Sequence, residues 1–197
     1  MKSQQTKGHS AYFTTSIFRR FQDQVHQWYP ILHPDFTLHF FESNAAGFPY
    51  STISCLSLLV AAIACLVDDR PHSPHYEAAL SMMPIAIQEC SITSVQCLVL
   101  FSTYLSCLLQ PRQAYDYIQA AFLRIQPFLK RCAIICMRKP TPSQATANLT
   151  CVDGISRSFF SEGSPESHLV TRLYWTIYLI KRSAPGGFLL LPGLTCT

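Results

Sequence analysis

Apolar residues recur along this chain at intervals of three and four, the repeat of a helix that turns one side toward a core. Phe13, Ile17, Phe21, Val25 and Trp28 draw one such stripe, which predicts a first helix ending before Pro30. Pro30 and Pro34 then make a kinked passage, a short aromatic helix follows from Asp35 to Glu42, and Asn44 to Pro49 reads as a loop. From Thr52 to Val67 the chain is apolar nearly all round and stops at Asp68-Asp69-Arg70-Pro71, the pattern of a helix buried at the centre of a bundle. Ser73-Pro74 offers a cap with proline at the first helical position, opening a helix that Pro84 is expected to kink. Another helix starts at Ser91 or Thr93 and runs to Leu109. Pro111 then opens one in which Ala114, Ile118, Ala121, Ile125 and Phe128 share a face. The small Ala114 and Ala121 on that face allow a neighbouring helix to approach closely.

After that helix the composition changes. Residues 137–163 are rich in Pro, Ser, Thr, Asn and Gly and read as a long exposed loop. Ser164-Pro165 caps a last helix that carries Leu169, Leu173, Trp175, Ile177 and Tyr178. Glycine and proline break residues 183–197 into an irregular tail, and residues 1–9 read as a flexible terminus. Strand signals are weak throughout, so the expected fold is all-α: an irregular bundle of about six to eight helices in one domain over residues 10–182.

Composition sharpens this picture. Apolar residues make up 49% of the 197 and charged ones 13%, which excludes a disordered chain and demands helices buried around much of their circumference. The net charge of +4 is spread over pairs such as Arg19-Arg20, Lys130-Arg131, Arg138-Lys139 and Lys181-Arg182. Isolated pairs read as solvated rim charge and not as a nucleic-acid footprint. Nine cysteines cannot all pair within one chain, and Cys55, Cys65, Cys90, Cys97 and Cys107 lie in or beside apolar runs, where a free thiol behaves as a small hydrophobe. Together with an N-terminus lacking the apolar core of a secretory signal, this points to a soluble protein in a reducing, intracellular setting. Ile53–Val67 is too short to span a bilayer, and Ile92–Leu109 is interrupted by Thr93, Ser94, Gln96, Ser102, Thr103 and Ser106.

Candidate chemistry is sparse. The closest cysteines, Cys132 and Cys136, lack the spacing of a structural zinc site, and His72 and His75 have no second close pair to complete one. There is no glycine-flanked serine of a nucleophile elbow and no glycine-rich phosphate loop. Asp68-Asp69 reads as a helix terminus. The sequence therefore assigns no catalytic, cofactor-binding or metal-binding residue and reads as a non-enzyme.

A series of motifs in order along the chain carries a family resemblance. His26-Gln27-Trp28-Tyr29-Pro30-Ile31-Leu32-His33 followed by Phe36, the apolar run Thr52–Val67 and His75-Tyr76-Glu77-Ala78-Ala79 come first. Ser94-Val95-Gln96-Cys97-Leu98-Val99-Leu100 with Tyr104, Ala114-Tyr115-Asp116-Tyr117 with Ala121, and Arg172-Leu173-Tyr174-Trp175-Thr176-Ile177-Tyr178 closing on Arg182 complete it. Residues 10–182 thereby resemble the fungal-specific transcription factor domain, the regulatory middle region of zinc-cluster transcription factors. The resemblance implies a nuclear regulator of RNA polymerase II transcription that responds to a small-molecule effector or protein partners and homodimerises at full length. It also implies that DNA and zinc belong to a six-cysteine cluster this chain does not contain. The glycine-leucine-histidine that often ends the family's alanine-aromatic helix is replaced here by Ile125 to Arg131, and the chain reads as a fragment of such a regulator or as a degenerate or mispredicted gene product. A helical interaction scaffold, or a small two-span membrane protein, are the alternative readings.

Overall fold

In a computed structural model, which describes residues 14–138 and 165–183, the chain forms seven helices, with no strand among the described residues. Helix α1 covers residues 14–21 and continues into a π-helical turn, Gln22–His26; α2 is Phe36–Ala45, α3 Thr52–Val67, α4 Ser73–Gln88, α5 Ile92–Cys107, α6 Pro111–Arg138 and α7 Pro165–Ser183. The all-α expectation holds. Residues 1–9, most of the predicted 137–163 loop and the tail beyond Ser183 lie outside the described residues, as does Phe13. Met137, Arg138 and Ser183 are helical and not part of a loop or tail.

The two most apolar helices form the interior together. Residues 54–65 of α3 and 94–105 of α5 are buried without interruption, so α5 shares the central position expected for α3 alone. Helix α3 packs against α2, α4 and α5, while α5 also meets α4, α6 and α7. Both start in the same way: Ser51 and Ser91, in extended conformation, accept hydrogen bonds from the amides of Ser54 and Ser94 at 3.2 and 3.1 Å. Among the described residues no helix is long and apolar enough to cross a membrane.

The hydroxyl, amide and thiol groups of these helices tie them to their neighbours. Ser94 Oγ donates to the Ala86 carbonyl of α4 at 2.5 Å and Ser102 Oγ to the Ala114 carbonyl of α6 at 2.8 Å. Cys97 Sγ contacts the Thr52 carbonyl of α3 at 3.6 Å, and Cys55 Sγ the Ala79 carbonyl of α4 at 3.4 Å. Arg124 of α6 reaches the end of α4, donating to the carbonyls of Ile87 and Glu89 and to Ser94 Oγ. There a cation complements the negative end of the helix dipole. An aromatic column runs beside these contacts: the His72 and Tyr76 rings lie on Tyr104, and Tyr76 and Tyr117 on Phe101, joining α4, α5 and α6.

Several helix boundaries differ from expectation for one backbone reason. After α2, α3 and α5 the chain turns through a left-handed residue, Gly47 (φ 71°), Asp69 (φ 52°) and Leu109 (φ 57°). The next amide in each case reaches back to close the end: Phe48 to Ser43, Arg70 to Cys65 and Gln110 to Leu105, at 2.8 to 2.9 Å. Only the first turn uses the glycine that such a cap normally signals; α2 runs on to Ala45, and α5 stops at Cys107. Helix α4 begins at Ser73 with His72, not Ser73, in the cap position, and continues through Pro84 to Gln88.

Two expected core tryptophans lie outside. Trp28 is 52% exposed and Trp175 42%, and Tyr178 is exposed as well. Trp28 lies in the turn that follows the π-helical segment, past the end of the helix at His26, and so is off the stripe begun by Ile17 and Phe21. Phe18, not on that stripe, is buried against Phe40 at 5.0 Å between ring centres, with Phe36 and Phe41 close by. On α7 the buried stripe is Leu169, Val170, Leu173, Ile177 and Ile180, and Trp175 projects from the opposite side.

Two measurements check this account. In urea unfolding, Phe101→Ala is expected to cost about 3–5 kcal/mol and Trp175→Ala less than about 1 kcal/mol; equal costs would contradict the burial pattern. Leu109→Gly, which removes a left-handed leucine at the price of a freer unfolded chain, is expected to raise stability by about 0.5 kcal/mol, and Gly47→Ala to lower it by about 1 kcal/mol.

Candidate effector cleft

No residue of the sequence stood out as an effector ligand, and the structure shows why: a cavity formed among the described residues draws on elements far apart in the chain. A cleft of about 470 Å³ opens between α2, α3, α5 and α7. Phe36 and His39 face it from α2, Ile53 and Leu56 from α3, Ile92, Thr93 and Gln96 from α5, and Pro165, Glu166 and Leu169 from α7. His33, from the connection before α2, completes the wall. The lining is mainly apolar with imidazole, amide and carboxyl groups among it, the make-up of a small-molecule site.

The 27–35 connection is held in place by its own geometry and by α5. Ile31 and Leu32 are buried, and Gln96 Nε2 donates to the Ile31 carbonyl at 2.6 Å. The amide of Phe36 closes a turn on the His33 carbonyl at 2.9 Å, and His33 Nδ1 lies 3.2 Å from the Asp35 amide and 3.3 Å from its carboxylate. Gln96, one of the polar residues that interrupts the apolar run of α5, therefore fixes one side of the cleft.

A smaller chamber of about 120 Å³ lies on the other side of His33 and Phe36, which line both spaces. Its remaining wall comes from Phe18, Gln22 and His26 of α1, from Leu32, Pro34 and Thr37, and from Arg172 of α7. His26 sits in the π-helical turn with its ring 6.4 Å from that of Phe21. Burial pushes its pKa below the usual 6.5, the Arg172 guanidinium lowers it further, and a hydrogen bond to the Leu32 backbone acts the other way. Its Nε2 is buried with no hydrogen-bond partner among the described residues.

Other residues weighed from sequence have different places. His72 does not pair with His75 for a metal: its Nδ1 lies 2.6 Å from the Tyr104 hydroxyl, whose pKa is pushed up to about 12, chiefly by burial and then by Tyr76, Glu77 and Cys107 nearby. Among the described residues no group of three His, Cys, Asp or Glu side chains is placed to hold a metal. Asp68 ends α3 and binds Arg20 at 3.1 Å and Arg70 at 2.5 Å, so part of the scattered basic charge ties α1 to α3. Cys55, Cys65 and Cys97 are buried free thiols, Cys132 is buried, and Cys90 is exposed.

Comparison with known proteins agrees with the motif series. The profile of the fungal specific transcription factor domain matches residues 16–182. The chain belongs to that family, and so to the proteins that regulate transcription in fungi. It is similar to a protein of Aspergillus rugulosus named "Putative transcription factor ecdB", with 42% identity over 83 residues; that stretch is 42% of this chain and 15% of the relative. No solved structure matches the chain.

The pH dependence of stability tests the His26 environment. A histidine whose pKa is lowered on folding binds its proton more readily in the unfolded chain, so stability is expected to fall as pH drops below about 6.5. His75, which burial also lowers, contributes in the same direction. His26→Gln is expected to flatten part of that slope in urea titrations between pH 7 and 5; an unchanged slope would place the imidazole in solvent.

Proposed function

We propose that this chain is the regulatory, non-DNA-contacting part of a fungal zinc-cluster transcription factor, and that the 470 Å³ cleft receives a small-molecule effector. The observation carrying the proposal is the cleft's construction, which brings α2, α3 and α5 together with the start of α7 around one cavity. A ligand filling it contacts elements more than a hundred residues apart in the chain and thereby biases how α7 rests on the bundle, a differential contact of the kind a ligand-driven switch requires. The apolar lining favours a compact, mainly hydrophobic molecule.

On this reading the protein works in the nucleus on RNA polymerase II promoters, DNA contact comes from a zinc-cluster domain elsewhere in the full-length factor, and the factor acts as a homodimer with protein partners. Regulation, not catalysis, is its activity. The family assignment supports this.

The test is a reporter assay in a fungal host, with the chain fused to a heterologous DNA-binding domain. The fusion is expected to accumulate in the nucleus and change reporter output. Thr93→Phe, which places a ring in the cleft, is expected to shift that output at least about twofold while far-UV circular dichroism stays that of the parent. Output indistinguishable from the DNA-binding domain alone would refute the regulatory reading.

A further inference from the structure

The small chamber has a composition the cleft lacks. Arg172 and His26 share its wall, with Gln22, Thr37 and otherwise apolar side chains around them. Arg172 spends only its Nε on the protein, donating to the His168 carbonyl one turn back at a long 3.4 Å, and among the described residues no carboxylate lies within ion-pair distance of it. A half-buried guanidinium without an anion is an incomplete arrangement, because its fork matches a carboxylate in both geometry and charge.

His26 is incomplete in a complementary way. Its Nε2 is buried with no hydrogen-bond partner among the described residues; we take Nδ1 as the nitrogen that donates to the Leu32 backbone, which leaves Nε2 as the lone pair. A buried polar atom without a partner costs about 1–3 kcal/mol, a cost removed when a ligand or water supplies the missing bond. The π-helical turn that carries His26 is of a kind frequent at functional sites.

We propose that the chamber binds a carboxylate, held by the guanidinium of Arg172 and by His26 Nε2. A carboxylate accepts and cannot donate, so His26 must carry a second proton in the complex. Binding takes up that proton from solvent, the imidazolium donates through Nε2 while Nδ1 stays on Leu32, and the carboxylate balances the two cations. The titratable or charged side chains lining the chamber besides His26 are Arg172 from α7 and His33 from the connection before α2; α1 and α2 otherwise supply the non-titrating Gln22 and Thr37. The carboxylate is either a short free acid or the head of a larger acid whose apolar body occupies the adjoining cleft across His33 and Phe36. In the second case the inference deepens the effector reading and names the effector's chemical class. In both cases α1 and α7 close on the same anion.

Calorimetry and histidine NMR on the whole 197-residue chain at pH 6.5 and 7.5, in two buffers of different ionisation enthalpy, test this. The probes are propionate against propionamide, and 4-phenylbutyrate against 4-phenylbutanol. Expected are binding of an acid but not of its neutral match, uptake of about one proton, tighter binding at the lower pH and a shift of the His26 imidazole resonances. Propionate binding as well as 4-phenylbutyrate identifies a free-acid site, and a clear advantage for 4-phenylbutyrate identifies the joined site. Arg172→Gln is expected to weaken binding by about tenfold or more, with part of it restored by Arg172→Lys. Equal binding of acid and neutral match, binding without proton uptake, or no binding with an unshifted His26 would each overturn the proposal, the last leaving a chamber that holds water. None of these readings depends on transcription, so carboxylate binding without any reporter response would count against the regulatory function and leave the site standing.

Discussion

The structure depends on the polar contacts that α5 makes with its neighbours from inside an apolar interior. A helix buried on every side gains hydrophobic free energy in almost any orientation, so greasiness alone leaves its rotation undecided. Ser94, Gln96, Cys97 and Ser102 remove that freedom. Each points at a carbonyl on a different element, α4, the 27–35 connection, α3 and α6 in turn, and a rotation of α5 would leave several of these groups buried and unpaired. The same residues interrupt the helix enough to argue against a membrane span. One set of side chains thus specifies the bundle.

That fixed interior also sets the two cavities at its margin. Gln96 ties down the Ile31 carbonyl, which sets the connection carrying Leu32 and His33. That connection separates the apolar cleft from the cationic chamber, and its Leu32 carbonyl takes the His26 hydrogen bond. Helix α7 closes both spaces, with Leu169 on the cleft and Arg172 on the chamber, and is held to α6 through contacts such as Lys181 over the Phe122 ring at 4.1 Å. Helix α7 is thus the element that the two cavities share with the bundle.

The exposed aromatic face of α7, Trp175 with Tyr178, shows how a motif and its structural role can part. These residues belong to the series that identifies the family, yet they are not what packs the helix. They lie edge to face with each other at 5.8 Å on the outside, while Leu173 and Ile177 do the packing.

The amino-acid sequence by itself determined the helices and the family. Spacings of three and four, the serine start at Ser91 and prolines between runs are local signals, and local physics is enough to read them. Burial of the α3 run was legible for the same reason, since a run apolar all round has nowhere else to go. Tertiary structure alone decided the ends of α2 and α5, the fate of the tryptophans and both cavities. The left-handed turns at Asp69 and Leu109 carry no glycine to announce them, and the π-helical turn ends α1 without any signature residue. His26 and Arg172 lie 146 positions apart and meet only because α1 and α7 converge on the 27–35 connection. Charge and burial at such a meeting belong to the packing of distant segments, which no periodicity in the chain encodes.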